Sequence, residues 1–215
     1  MKIISHRGFW RAADEKNTEA AFVRSFHAGF GVETDVRDLD GTLVISHEPP
    51  RLKGMVLTLN RFLAMYERHG NGLPLTLRVR AEGLEETVAR AARDFELSDY
   101  LLCATSVPDA LAYLRRGLPV ATRHSDHEPS PAFYGLATGV WIDAFGEDWA
   151  TEGTVRAHLD AGKRVYLASP ERHGRPHLPF WKSLRGWGLH RADGVMLGTD
   201  YPDEARAFFT DGDAA

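Results

Sequence analysis

One cysteine in 215 residues, Cys103, excludes an intrachain disulfide and any zinc site built on several thiolates. It reads as a buried strand residue. No uncharged apolar run is long enough to span a bilayer, so no stable membrane anchor is expected. The opening Met1-Lys2-Ile3-Ile4-Ser5-His6-Arg7 turns polar after two apolar positions and lacks the core and cleavage site of a signal peptide, so a cytoplasmic location is expected. An excess of one charge is also missing. With 26 basic and 30 acidic residues interspersed, the chain has no broad basic footprint for nucleic acid, and a small-molecule partner is expected. Oligomeric state is left open.

What is present is an alternation of short β-rich runs with helical stripes. Eight strands are expected at residues 2–5, 31–35, 73–79, 100–105, 119–122, 139–142, 163–168 and 194–197. A hairpin turn at Asp40-Gly41 returns a further extended segment over 42–46. Between them lie helical patterns: Phe22 with Phe26 after a cap at Asn17 or Thr18, then Leu59-Phe62-Leu63-Tyr66, Val88-Ala91-Ala92-Phe95, and a helix opened by Pro108. Four more follow, a brief one over 133–137 and those marked by Val155 and Leu159, by Trp181 and Leu184, and by Phe208 and Phe209. Eight strands alternating with eight helices, with no insertion large enough for a second domain, match a (β/α)8 TIM barrel of the α/β class. One domain over residues 1–215 is expected, with 211–215 a disordered tail. An open doubly wound sheet is the runner-up, weakened because no Gly-x-Gly-x-x-Gly follows the first strand.

In such a barrel the carboxyl ends of the strands face one crevice. His6 and Arg7 end the first strand. Glu33 and Asp35 share one face of the second because side chains alternate, and His47 follows the hairpin. Arg78, Arg80 and Glu82 share parity at the third, Arg123 ends the fifth, Asp143 the sixth and Thr199-Asp200 the eighth. Arg80 and Arg123 are phosphate-ligand candidates by position.

His6-Arg7-Gly8, Asn17-Thr18 with Ala21-Phe22, Glu33-x-Asp35-Val36, Asp40-Gly41 and His47 together resemble the glycerophosphodiester phosphodiesterase family, within the phosphatidylinositol phospholipase C-like phosphodiesterase superfamily. The resemblance covers residues 3–48 and implies that His6 and His47 are the acid/base pair, Arg7 a phosphate ligand, and Glu33 and Asp35 ligands of a divalent cation, Mg2+ or Ca2+. The chemistry is coherent: imidazoles titrate near neutrality, and a cation or guanidinium offsets phosphoryl charge. The chain departs from the family at Glu15-Lys16, at Glu48 and above all at Arg78, which stands where the family has its third carboxylate; Arg80 stands for a lysine. Either another oxygen completes a metal shell, with Glu82 nearest and Asp143 and Asp200 farther, or the Arg78 guanidinium lies between Glu33 and Asp35 in place of a cation.

The expected function is hydrolysis of a glycerophosphodiester or similar small phosphodiester. The alternatives are a lyase forming a cyclic phosphate with Arg78 replacing the metal, and a non-catalytic barrel binding a phospho-ligand. Trp10, Trp141 and Phe145 are expected in core packing, and His124, His127, His173 and His177 as solvated loop residues. Ser169 and Glu171 lack a base at serine-hydrolase spacing.

Overall fold

Period-two alternation of inward and outward side chains builds the molecule's sheet. The computed structural model describes residues 1–50, 56–103 and 106–210. In chain order the elements are β1 (Lys2–His6), α1 (Glu19–His27), β2 (Gly31–Leu39), β3 (Thr42–Ile45), α2 (Leu59–His69), β4 (Leu75–Val79), α3 (Glu85–Asp94), β5 (Tyr100–Cys103), α4 (Val107–Arg115), β6 (Ala121–Ser125), β7 (Gly139–Asp143), α5 (Glu152–Asp160), β8 (Arg164–Ala168), α6 (Leu178–Gly186), β9 (Val195–Thr199) and α7 (Pro202–Thr210). Strands β5-β4-β2-β1-β9-β8-β7-β6 are neighbours in that order, all parallel. The seam between the two ends is bridged where the Leu102 N–H donates to the Pro119 carbonyl at 2.8 Å. The sheet is therefore an eight-stranded parallel barrel, as expected, and not an open doubly wound sheet. β3 lies outside it, antiparallel to the outer half of β2 from Val36↔Ile45 to Leu39↔Thr42. That pairing carries β2 four residues beyond the strand read from the sequence.

Alternation sorts the side chains into layers. Ile4, Leu101, Trp141, Tyr166 and Met196 fill the barrel interior. Outward residues pack against the helices in two clusters, Leu75, Leu77, Phe62 and Phe22 on one side and Val140, Val165, Trp181 and Leu197 on the other. Each such side chain removed from water contributes about 1.5–3 kcal/mol. Thr18 caps α1 by accepting from the Ala21 N–H at 3.4 Å. Asn17 instead takes a left-handed φ of 62° and accepts a hydrogen bond from the Thr34 hydroxyl at 3.0 Å, tying the helix entrance to β2.

Seven α-helices, not eight, are present among the described residues. Residues 133–137 form a turn, because Phe133 has φ +53° and Leu136 is 66% exposed and so supplies no apolar stripe to bury. The last two residues of the strand expected over 100–105, and the tail expected at 211–215, lie outside the described residues. No described helix is long and apolar enough to cross a membrane.

Candidate functional site

A sharp turn delivers the first two site residues. Arg7 (φ +62°) and Gly8 (φ +90°) reverse the chain after β1, and a Cβ on Gly8 would lie 2.8 Å from that of Ala21. Only glycine allows both the conformation and the close approach of α1. The Arg7 N–H donates to the Glu33 carbonyl at 2.8 Å, and the Phe9 N–H to Ser25 Oγ at 2.7 Å, so the turn is pinned to β2 and α1. His6 is 6% exposed, with Nδ1 2.7 Å from Asp200 Oδ1, while Lys16 Nζ lies 3.5 Å from the other oxygen of Asp200. Burial, reinforced by the charge on Arg172, holds His6 well below the ordinary imidazole value of 6.5. A neutral ring beside a carboxylate carries its proton on Nδ1, which leaves Nε2 as the acceptor.

Glu33 is buried at the heart of the crevice. One oxygen accepts from Arg172 Nη2 at 2.7 Å, with Arg78 Nη1 at 3.6 Å, and the other accepts from the Tyr166 hydroxyl. Arg172 Nη1 also donates to the Tyr166 oxygen at 2.9 Å, closing a three-membered ring of side chains. The Tyr166 phenol has room because its hydroxyl lies over Gly198 of β9, where a Cβ would fall 1.6 Å from the oxygen. Burial pushes the Glu33 carboxyl up, but Arg172, His6 and Arg78 outweigh it and leave the group below its ordinary value. The Arg172 side chain is 4% exposed, and its own pKa is raised: burial opposes its charge and the Glu33 carboxylate more than compensates.

Asp35 is equally buried. Arg80 Nε donates to its Oδ1, and Oδ2 lies 3.1 Å from His47 Nδ1 and 3.4 Å from Arg7 Nε. Burial again works against the charge, yet Arg80 dominates and the carboxyl falls to about 2. His47 Nδ1 is also 2.7 Å from Arg7 Nη2, and it either donates to Asp35 or accepts from Arg7. Arg37 fixes this corner by donating to the carbonyls of His47 at 3.0 Å and Arg80 at 3.2 Å. Burial lowers the His47 pKa, with Asp35 opposing. The Arg78 guanidinium lies over the Trp141 ring, 4.3 Å from its centroid.

His6, Arg7, Glu33, Asp35, His47 and Arg80 are thus brought together. Arg78 lies 3.6 Å from Glu33 and is the register partner of Asp35, while the shorter contacts of the two carboxylates are made by Arg172 to Glu33 and Arg80 to Asp35. Arg123, in β6, pairs instead with Glu128 of the following loop, and Glu82 is exposed in the turn after β4. Asp143 accepts from His173 Nε2 at 2.7 Å, so His173 is not a free loop residue. His124 is bonded to His158 at 2.9 Å and His177 to Glu204 at 3.0 Å, which also departs from the solvated reading. Trp141 is packed in the interior as expected, whereas Phe145 is 38% exposed. Tyr166 and Arg172 were not found from the sequence. Tyr166 carries the inward parity of β8, a usable signal; Arg172 sits in a 3-10 turn, Pro170–His173, with no spacing to mark it.

The residues do not fit a divalent cation. All four oxygens of Glu33 and Asp35 are engaged by guanidinium, phenol or imidazole groups. Four guanidiniums, Arg7, Arg78, Arg80 and Arg172, face these two carboxylates, an excess of two positive charges. Among the described residues, no group of three or more His, Cys, Asp or Glu is placed to hold a metal.

No protein-family model matches the chain, and no curated protein matches it significantly. Solved structures do resemble it. A glycerophosphodiester phosphodiesterase from Agrobacterium tumefaciens superposes with TM-score 0.72 at 18% identity, covering 96% of this chain and 99% of that one. A phosphodiesterase from Oleispira antarctica, in complex with the product sn-glycerol-3-phosphate, gives TM-score 0.68 at 19% identity, covering 97% and 96%. A phosphoribosyl anthranilate isomerase from Thermus thermophilus matches less well, at 0.53 and 15% over 97% and 96%. At these identities the likeness is one of fold, and the isomerase shows that the barrel alone does not choose a chemistry.

Proposed function

We propose that the chain is a phosphodiesterase acting on a glycerophosphodiester or a similar small diester, with guanidiniums in the role a divalent cation has elsewhere. The observation that carries this reading is a neutral, aspartate-held His6 and a second imidazole, His47, flanking a crevice with surplus positive charge. Its fold likeness to phosphodiesterases, one with sn-glycerol-3-phosphate bound, supports the substrate class. The phosphate rests on Arg7, Arg78 and Arg80, whose side chains are 18%, 22% and 23% exposed, while buried Arg172 holds Glu33 charged behind them. His6 Nε2 takes the proton of the attacking hydroxyl, and Asp200 steadies the imidazolium that forms. His47, in its protonated form with Asp35 supporting the charge, gives a proton to the departing alkoxide.

The guanidinium-filled carboxylates favour a particular nucleophile. With no cation site to lower the pKa of water, the hydroxyl next to the ester on the substrate's own glycerol is the better-placed attacker, which would give a cyclic phosphate first. Phosphorus NMR during turnover of a glycerophosphodiester tests both points. A cyclic intermediate and rates unaffected by EDTA, Mg2+ or Ca2+ are expected, with His6→Ala and His47→Ala each lowering kcat by about 10²–10⁴. Loss of turnover in EDTA, together with calorimetric Ca2+ binding that Glu33→Gln abolishes, would refute the guanidinium role. Tight diester binding without turnover under any metal would instead make the barrel a non-catalytic phospho-ligand binder.

A further inference from the structure

The 3-10 turn Pro170–His173, which follows β8, sends three consecutive side chains to three other strands at the crevice: Arg172 to Glu33 of β2, His173 to Asp143 of β7, and Glu171 to the end of β9. The first two contacts are charge pairs between side chains. The third is different, because Glu171 Oε1 accepts from the Thr199 hydroxyl at 2.5 Å and from the backbone N–H of Asp200 at 3.0 Å. We propose that Glu171 is a positioning residue, which fixes the chain at the end of β9 so that the Asp200 carboxylate meets His6.

Strands β1 and β9 are paired as far as Ser5↔Thr199, so the Asp200 N–H lies past the last rung of that ladder and needs an acceptor from elsewhere. Glu171 supplies it. The buried Thr199 hydroxyl donates to the same oxygen and itself accepts from the Tyr201 N–H at 3.0 Å, so Thr199, Asp200 and Tyr201 are all held from one point. With its backbone fixed there, Asp200 places Oδ1 2.7 Å from His6 Nδ1. The turn that carries Glu171 is itself anchored: the Ser169 N–H donates to the Gly198 carbonyl at 2.9 Å, and the Trp181 indole N–H donates to Ser169 Oγ at 2.9 Å. The other oxygen of Glu171, Oε2, is buried and has no hydrogen-bond partner among the described residues. A buried oxygen left unpaired is a cost, and the two bonds set against it both go to the end of β9.

The inference rests on the phosphodiesterase reading for what His6 does, but not for how it is held, and two measurements keep the two apart. The first needs no substrate. The His6 Nδ1–H resonance, identified by its loss in His6→Gln, is followed by NMR; it should shift or vanish in Glu171→Ala and persist in Glu171→Gln, which keeps an acceptor oxygen. The Trp181 indole resonance should stay in place in both variants, because Ser169 still holds it at the base of the turn. An unchanged His6 resonance in Glu171→Ala, or a displaced Trp181 resonance beside it, would overturn the assignment, the latter by making the residue a support of the turn alone. The second measurement is turnover of a glycerophosphodiester. Glu171→Ala is expected to lower kcat about 10²-fold with KM within about twofold, and Glu171→Gln to recover at least about tenfold of that loss. In an Asp200→Ala background, Glu171→Ala should change kcat by no more than about twofold, since it acts through Asp200; the full loss repeated there would overturn the assignment. If the wild-type protein hydrolyses no diester and the His6 resonance still depends on Glu171, the positioning role stands and the catalytic reading falls.

Discussion

Replacing Arg172 with methionine would remove the nearest cation from Glu33 while keeping an unbranched apolar stem in its place. Glu33 is 1% exposed and would retain the Tyr166 hydroxyl and Arg78, 3.6 Å away. Removing one partner of a buried ion pair costs about 3–5 kcal/mol, because the other charge is left uncompensated. A loss of that size is expected by urea denaturation near neutral pH. Arg78→Met should cost only about 1 kcal/mol, since that guanidinium is partly exposed and farther from the carboxylate. The dependence on pH is the sharper readout. In the wild-type protein the folded-state pKa of Glu33 lies below the unfolded value of 4.5, so the pair stabilises above that pH and its contribution is lost as pH falls through the folded value. In Arg172→Met burial prevails and the folded pKa rises above the unfolded one. The folded state then holds a proton that the unfolded chain has released, and stability falls as pH rises, by up to about 1.4 kcal/mol per pH unit, until the raised value is passed. Equal losses in the two variants, or a loss in Arg172→Met that is flat between about pH 5 and 8, would refute the ring of Arg172, Tyr166 and Glu33 as the core of the site.

Asp200→Asn keeps the shape of its partner's bond to His6 but removes the charge and favours the wrong tautomer; kcat should fall about 10²–10⁴-fold with KM little changed, and an unaltered kcat would remove His6 as the base. Because burial holds His6 below 6.5, the acid limb of kcat/KM should lie below that pH; a limb at or above it would contradict the neutral buried ring. The same depression makes stability fall as pH drops below 6.5, where the unfolded chain protonates this histidine and the folded one does not, so denaturant midpoints should decrease there and the decrease should vanish in His6→Gln. Gly8→Ala forces a side chain into a left-handed turn 2.8 Å from Ala21 Cβ and should lower stability by about 1–3 kcal/mol, measured by thermal unfolding, with activity reduced through displaced His6 and Arg7.

Local chemistry carried much of this molecule into view. Two-residue alternation marks Glu33 and Asp35 as one face of β2, Thr18 caps α1 within reach of the Ala21 N–H, and Gly8 and Asp40-Gly41 place turns that need a positive φ. Each is decided within a few residues of chain, so the eight strands and the group of His6, Arg7, Glu33, Asp35 and His47 could be read from sequence. The helix expected over 133–137 gives way to a turn, since Phe133 takes a left-handed φ of 53° and Leu136 is left 66% exposed.

Which charge meets which was decided only in three dimensions. The sheet register sets Arg78 beside Asp35 on neighbouring strands, and from the sequence the space between the carboxylates was open to a divalent cation or to the Arg78 guanidinium. Asp35 instead takes Arg80, and Glu33 takes Arg172 from the far end of the chain, because closing the barrel brings the loop after β8 over β2. Sequence alone determined the fold and the kinds of groups at its mouth, since alternation and turns are short-range. The pairing of these carboxylates with particular guanidiniums belongs to tertiary structure, where Coulomb attraction between buried groups acts across whatever distance closure has left.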